Sequence, residues 1–232
     1  MINSERQMIP NNIIRQSFDQ KAEFDDLAAS LIIDLANTAI NKKGYFSIVL
    51  CGGGTPRAIY SKLLNGDTDW SAWYVYFGDE RCLPINHPDR NSLMVNDTWL
   101  TKSEIPSTQV FPIPGEVGNI KAAEQYENII IKVEKFDLVL LGFGEDGHIA
   151  SLFPGHLCNE DRLVVPVFNA PKPPSERVSL TIKSLSNTVD VIFLIAGKNK
   201  AKAFSLWEDT IKTPASLISA TNDVRILTYD VN

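Results

Sequence analysis

Short apolar runs alternate with longer amphipathic stretches along this chain. Residues 73–77 and 191–196 form continuous apolar runs, and residues 45–51 are apolar except for Ser47; all three have a length typical of buried strands. Apolar residues at helical spacing occupy about residues 20–41, where Phe24, Leu27, Ala28, Leu31 and Leu35 fall on one stripe, and again near 119–134. Strands that alternate with helices predict an α/β fold with a mostly parallel central sheet and helices on its faces.

Local signals set several of the predicted boundaries. Gly44 ends the first helix, and Thr55-Pro56 opens the second, with Thr55 as N-cap and Pro56 at the first helical position. Residues 177–182 and 225–229 predict two further strands. A proline-punctuated loop is expected at 166–174, and a helix follows the glycine–lysine turn at 197–200.

Size and composition are those of an ordinary globular protein. The chain has 232 residues, of which 44% are hydrophobic and 22% charged. We find no internal repeat and no linker, so residues 1–232 are expected to form a single domain, with 1–18 as an irregular N-terminal segment. Cys51, Cys82 and Cys158 are scattered and lack CxxC spacing. With no signal-peptide layout and no apolar run of about 18 residues, the expected location is the cytoplasm.

The charge balance restricts the classes of ligand. A net charge of −6 and a pI near 5.1 argue against a general nucleic-acid or anionic-membrane binder. A phosphate-bearing ligand would therefore need a local basic cluster. Arg81, Arg177 and Lys200 stand at the ends of apolar segments. Each alone is more typical of a surface charge, but together they could form such a cluster.

The segment 137–148 carries the most specific chemical signal. An apolar strand runs into a turn with three glycines, which presents Asp146 and His148 two residues apart. Parallel sheets bind ligands just beyond the carboxyl ends of their strands. A lone loop histidine is more often structural than catalytic, but the glycine frame and the position at a strand end favour a functional role here.

Two further strand ends could contribute to the same crevice. Gly53, Gly54 and Thr55 join a strand to a helix N-terminus, where free N–H groups and the helix dipole favour an anion, although a merely tight turn is an equal alternative. Asp79 and Arg81 follow the strand at 73–77. They are typical of a solvated rim unless this strand ends beside the others.

Five segments in register resemble the 6-phosphogluconolactonase family. They cover nearly the whole chain, from about residue 20 to 230: Gly-Gly-Gly-Thr-Pro at 52–56, Phe-Gly-Asp-Glu-Arg-Cys-Leu-Pro at 77–84 with His-Pro-Asp-Arg-Asn at 87–91, the stretch 137–155, Lys-Pro-Pro-Ser-Glu-Arg-Val-Ser-Leu-Thr at 172–181, and Gly-Lys-Asn-Lys-Ala at 197–201. The resemblance implies a three-layer α/β sandwich shared with amino-sugar-phosphate isomerases. It also implies hydrolysis of 6-phosphoglucono-1,5-lactone in the oxidative pentose phosphate pathway without metal or cofactor. Separately, we expect a monomer or small homo-oligomer.

The resemblance also implies roles for individual residues. His148 would be the general base that activates water, with Asp79 and Asp146 lining the site and orienting water, sugar hydroxyls or the imidazole. The phosphate and the developing negative charge would be held by the remaining candidates: Gly53, Gly54, Thr55, Arg81, Arg177 and Lys200. The motif match does not assign a task to each cation.

Three alternatives stay open on the residues alone. One is an aldose–ketose isomerase or deaminase, against which Phe153 argues because related deaminases place a catalytic glutamate there. Another is a non-catalytic sugar-phosphate sensor, which would not need a positioned base. The third is a redox or coenzyme-binding domain, which would need a glycine fingerprint together with a ribose-binding acid at the right spacing. Nucleophilic-serine and zinc-protease motifs are missing from the sequence.

Overall fold

The computed structural model describes residues 12–155, 161–208 and 213–231, so Cys158 lies outside the described residues. Within these ranges the strands are β1 (Asn12–Phe18), β2 (Phe46–Leu50), β3 (Trp73–Phe77), β4 (Asp79–Arg81), β5 (Val110–Phe111), β6 (Phe136–Gly142), β7 (Val164–Val167), β8 (Arg177–Leu180), β9 (Thr188–Ala196) and β10 (Asp223–Tyr229). The α-helices are α1 (Lys21–Lys43), α2 (Gly54–Leu63), α3 (Asn91–Thr98), α4 (Asn119–Ile130), α5 (Ile182–Leu185) and α6 (Ala201–Glu208).

Seven of the described strands form one parallel sheet in the order β1-β10-β9-β6-β2-β3-β5. The predicted α/β class with a mostly parallel central sheet is therefore confirmed. The chain moves from β2 to β3 on one side and from β6 to β9 and β10 on the other, so the order reverses between β2 and β6. In open parallel sheets this switch point, at the carboxyl ends of the strands, is the preferred place for a ligand.

The N-terminal segment differs from the prediction. Residues 12–18, expected to be irregular, form the edge strand β1, which pairs with β10 from Asn12 opposite Asp223 to Phe18 opposite Tyr229. Most side chains of β1 are exposed, so this strand has no apolar pattern that the sequence could reveal. Residues 1–11 lie outside the described part of the chain.

Helix α1 packs against the sheet through a stripe slightly rotated from the predicted one. Phe24 and Ala28 are fully buried, as predicted, whereas Leu27, Leu31 and Leu35 are partly buried against the core. The helix ends at Gly44, whose left-handed backbone (φ 85°) lets its N–H donate to the carbonyl of Ile40. The expected helix end is thus confirmed.

Helix α2 begins two residues earlier than predicted. Gly53 is the N-cap residue, with φ 114°, and makes no side-chain capping bond. Thr55 therefore lies inside the first turn, and its predicted role as N-cap is wrong. Pro56 is in the same turn, where its missing N–H removes no helical hydrogen bond.

A small antiparallel sheet, in the order β4-β8-β7, lies beyond the end of β3. Residues 79–81 form β4 rather than a solvated rim, and Pro166 lies within β7, so the predicted proline loop begins later. The register places Arg81 opposite Arg177. Among the described residues, no helix is both long and apolar enough to span a membrane.

Candidate active site

The loops after β2, β3, β6 and β9 meet around one cavity of about 230 Å³ at the switch point of the sheet. Its wall contains eight of the nine predicted site residues: Gly53, Gly54, Thr55, Asp79, Arg81, His148, Arg177 and Lys200. The ninth, Asp146, lies against the His148 ring and not in the cavity wall. Residues that are far apart in the chain are thus brought together because parallel strands end at the same edge of the sheet.

His148 and Asp146 form a hydrogen-bonded pair. The His148 Nδ1 atom is 2.5 Å from Asp146 Oδ1, and the His148 backbone N–H also donates to this oxygen. Burial acts to raise the pKa of Asp146, but the charge and hydrogen bonds of His148 outweigh it and the pKa is lowered. An ionised carboxylate only accepts, so Nδ1 carries the proton and Nε2 of a neutral ring keeps its lone pair.

The surroundings of His148 favour the neutral imidazole. Burial lowers the pKa of His148 below its ordinary value, and the nearby charges of Asp146 and Asp79 act in the opposite direction without reversing the shift. The Phe153 ring contributes to this apolar environment, since its centroid lies 4.7 Å from that of His148. A neutral ring at pH 7 can accept a proton.

Gly144 is required for the close approach of this ring to the backbone. A Cβ atom at residue 144 would lie 2.1 Å from His148 Nδ1 and 2.6 Å from Asp146 Oδ1. Its backbone N–H donates to the carbonyl of His148, which closes the turn. The glycine that the sequence identifies as part of a frame thus leaves space for the hydrogen-bonded pair.

Two guanidinium groups come from adjacent antiparallel strands. Arg81 on β4 and Arg177 on β8 are directly opposite each other. Burial lowers the pKa of Arg177; the charge of Asp79 opposes this shift and that of Arg81 adds to it. Like charges placed directly opposite are unfavourable in a sheet, and an anion between them would remove the repulsion.

The cations differ in how many of their donors are already used. Arg177 donates through Nε to the carbonyl of Pro174 and through Nη2 to that of Lys172, and its Nη1 lies 3.5 Å from the Ser151 hydroxyl oxygen. Arg81 donates through Nη1 to the carbonyl of Asp89, while its buried Nε has no hydrogen-bond partner. Lys200 is half-buried, and burial lowers its pKa.

Two residues that were not predicted to belong to the site hold Asp79 in place. The Ser151 hydroxyl donates to Asp79 Oδ2 at 2.6 Å, and the Asn91 amide donates to Oδ1 at 3.1 Å. Asn91 also occupies the space beside Gly52, where a Cβ would lie 1.8 Å from the Asn91 side-chain oxygen. Both residues fall inside the segments that carried the resemblance, but neither residue type by itself indicates this function.

The described residues offer little for a metal ion. Within 12–155, 161–208 and 213–231, no three His, Cys, Asp or Glu side chains are grouped closely enough to hold one. The arrangement instead combines an anion site with a base: cations and the N-terminus of α2 line the same cavity as a neutral imidazole.

Comparison with known proteins yields a consistent set of relatives. Residues 19–227 match the family described as glucosamine-6-phosphate isomerases/6-phosphogluconolactonase. The chain is 34% identical to 6-phosphogluconolactonase 3, chloroplastic, of Arabidopsis thaliana, over 94% of this chain and 76% of that relative. It is 33% identical to the probable 6-phosphogluconolactonase 1 of Oryza sativa subsp. japonica, over 90% and 78% respectively. The crystal structure of 6-phosphogluconolactonase from Thermotoga maritima superposes with a TM-score of 0.88 at 27% identity, over 94% of this chain and 100% of that chain.

Proposed function

The chain belongs to the glucosamine-6-phosphate isomerase/6-phosphogluconolactonase family, and we propose that it hydrolyses 6-phosphoglucono-1,5-lactone to 6-phosphogluconate with His148 as the general base. The relatives named above confirm the sequence-based prediction of a 6-phosphogluconolactonase, a hydrolase acting on a lactone ester. The roles of the individual residues are our proposal.

The observation that carries the proposed mechanism is the His148–Asp146 pair beside a cavity rich in cations. With Nδ1 bonded to Asp146, the Nε2 atom of His148 takes a proton from water as the oxygen attacks the lactone carbonyl. The tetrahedral intermediate then collapses with cleavage of the ring C–O bond, and the proton on Nε2 is returned to the departing ring oxygen. No further group is consumed, because water supplies both the nucleophile and the proton.

The three cations bind two different anionic groups, the phosphate of the substrate and the oxyanion that forms during the reaction. Arg81 and Lys200 have donors free of protein partners among the described residues, so we assign them to the phosphate together with the backbone N–H groups of Gly54 and Thr55. Arg177 uses most of its donors on loop carbonyls and lies beside Asp79 and Ser151. We assign it to the developing oxyanion, for which a fixed, preorganised donor is the effective kind.

Lactone hydrolysis is the direct test of this function. Freshly prepared 6-phosphoglucono-1,5-lactone is added to the purified protein in weak buffer, and acid release is followed by stopped flow against the spontaneous background. Release no faster than the background would reject the activity and leave a non-catalytic sensor. Formation of ammonia or a ketose from an amino-sugar phosphate would instead favour the isomerase branch of the family. Phe153 argues against that branch and for the lactonase.

The pH dependence tests His148 as the base. Because burial lowers the pKa of His148 from its usual 6.5, kcat/KM is expected to stay level at neutral pH and to fall tenfold per unit below an apparent pKa that itself lies under 6.5. The value of kcat/KM falls on acidification because protonation at low pH removes the lone pair that accepts the proton. A rate measured from pH 4.5 to 8 that rose on acidification would contradict this assignment.

Substitution of the free cations tests the phosphate site. Arg81→Met and Lys200→Met are each expected to raise KM by about 10- to 100-fold, the loss of one charge-assisted contact, with kcat little changed. Lys198→Met is the matched control, since Lys198 is on the same short turn as Lys200 but outside the cavity. A fall in kcat at constant KM would move the substituted residue from the phosphate to the transition state.

Cellular context and assembly are the remaining parts of the proposal. We propose a cytosolic location; the Oryza sativa relative is named without a compartment, while the Arabidopsis relative is named as chloroplastic. We also propose a monomer or small homo-oligomer without a nucleic-acid partner. Sedimentation of the purified chain and imaging of a tagged one would test these two points.

A further inference from the structure

Glu145 connects three segments that each contribute a residue to the cavity wall: Gly144, Arg177 and Lys200. It lies between Gly144 and Asp146 in the turn that holds the base, and its side chain is exposed. Its Oε2 atom pairs with the Lys172 ammonium at 3.2 Å, and its Oε1 atom accepts a hydrogen bond from the Asn199 amide at 2.7 Å. Both carboxylate oxygens are thus used, each by a different segment.

The two partner segments carry the cations of the site. Lys172 belongs to the loop between β7 and β8, and its backbone carbonyl accepts from Arg177 Nη2 at 3.0 Å. Asn199 directly precedes Lys200 in the short turn Lys198–Lys200. A single carboxylate therefore links the turn of the base to the segments that hold Arg177 and Lys200.

The charge of Glu145 also balances the lysines around the base. The hydrogen bond from Lys172 lowers the pKa of Glu145, with further contributions from Asn199 and Lys200, so the group stays ionised. Lys172 acts to lower the pKa values of both Lys200 and His148. Removing Glu145 would leave the positive charge of Lys172 without this partner.

We propose that Glu145 is a positioning residue, which holds the Lys172 loop and the Lys200 turn at a set distance from His148 and so aligns the phosphate of the substrate with the base. This inference rests on the proposed lactonase function. Glu145 itself touches neither the reacting carbon nor the water. Its effect is carried through Lys172 and Asn199, the two residues that its oxygens contact.

A double-mutant cycle between Glu145 and Lys172 tests the proposal. Glu145→Gln removes the ion pair but keeps an oxygen for Asn199, and Lys172→Met removes the partner charge. Each single change is expected to raise KM, and the double variant to be less impaired than the product of the two, by about two- to fivefold, as measured for partly exposed ion pairs. Glu145→Ala, which loses both contacts, is expected to lower kcat as well.

The controls separate positioning from general structure. Glu176→Gln removes an exposed carboxylate from the same β7–β8 loop, outside the cavity, and is expected to leave KM unchanged. Thermal unfolding of each variant should match that of the wild type. The proposal is overturned if the effects of the two single substitutions on KM multiply in the double variant, or if Glu145→Ala leaves KM and kcat unchanged. Because the wild-type and His148 variants are assayed in parallel, failure of the lactonase assignment is distinguishable from failure of this inference.

Discussion

Replacement of His148 by alanine is expected to lower kcat by about 10²- to 10⁴-fold, the usual contribution of a positioned general base. The phosphate site should persist, because Arg81 and Lys200 come from other segments, so the affinity for 6-phosphogluconate should change little. Stopped-flow acid release, corrected for spontaneous hydrolysis, gives kcat; isothermal titration with the product gives the affinity. A variant with wild-type kcat would exclude His148 as the base.

The chain offers matched controls for this experiment. His87→Ala removes an imidazole from a loop outside the cavity and should leave kcat unchanged. Asp146→Asn keeps the His148 ring but replaces the carboxylate that accepts its Nδ1 proton, so the tautomer is no longer enforced. Its kcat is expected between those of the wild type and His148→Ala. A full loss of product affinity in His148→Ala would indicate a collapsed site and would require a structural check.

Replacement of Glu80 by alanine is expected to lower the free energy of unfolding by about 3–5 kcal/mol. Glu80 is 0% exposed, and its carboxylate accepts from the backbone N–H groups of Asn91 and Ser92 and from the Ser92 hydroxyl. It also faces the buried guanidinium of Arg90, whose Nε lies 3.4 Å from Oε2. Removing the carboxylate leaves the Arg90 Nε and the first N–H groups of α3 without this acceptor, while the guanidinium keeps Glu116 and the Ile113 carbonyl as partners.

Equilibrium unfolding in urea measures this effect at a constant m-value. Asp89→Ala is the matched control, because the Asp89 side chain is 66% exposed in the connection between β4 and α3. Its removal should change the free energy of unfolding by at most about 0.5 kcal/mol. Glu80→Gln keeps the size and an acceptor oxygen, so it is expected to fall between the two. If the free energy of unfolding of Glu80→Ala lies within about 1 kcal/mol of the wild-type value, the network does not hold α3 against β4.

The local parts of the fold were predictable because local forces set them. Strand β3 occupies the predicted residues Trp73–Phe77, since a short apolar run flanked by polar residues has few other ways to leave water. Gly44 ends α1 because a left-handed residue is needed there. The edge strand β1 was not predicted, because no local force of this kind sets it. Backbone pairing with β10 holds it, and its exposed side chains carry no periodic signal.

The charged segment after β3 shows where residue type misleads. Asp79, Glu80 and Arg81 have the composition of a solvated rim, yet they form strand β4, and Glu80 is completely buried. What reverses the expectation is a set of partners elsewhere in the chain: β8 for the backbone, and the N-terminus of α3 with Arg90 for the carboxylate. A buried charge is stable only with such partners, and no local pattern announces them.

The sequence by itself determined the α/β class, the family and eight of the residues in the cavity wall, because strand ends and glycine turns can be recognised from the local order of residues. Only the tertiary structure decided how those residues act on one another. It placed Arg81 opposite Arg177 and Asp146 in hydrogen-bond contact with the imidazole. Among the residues that the structure describes, it left donors of Arg81 and Lys200 without a partner, whereas Arg177 donates to loop carbonyls. These relations depend on distances between segments remote in the chain, and such distances arise only when the strands pair and the core closes.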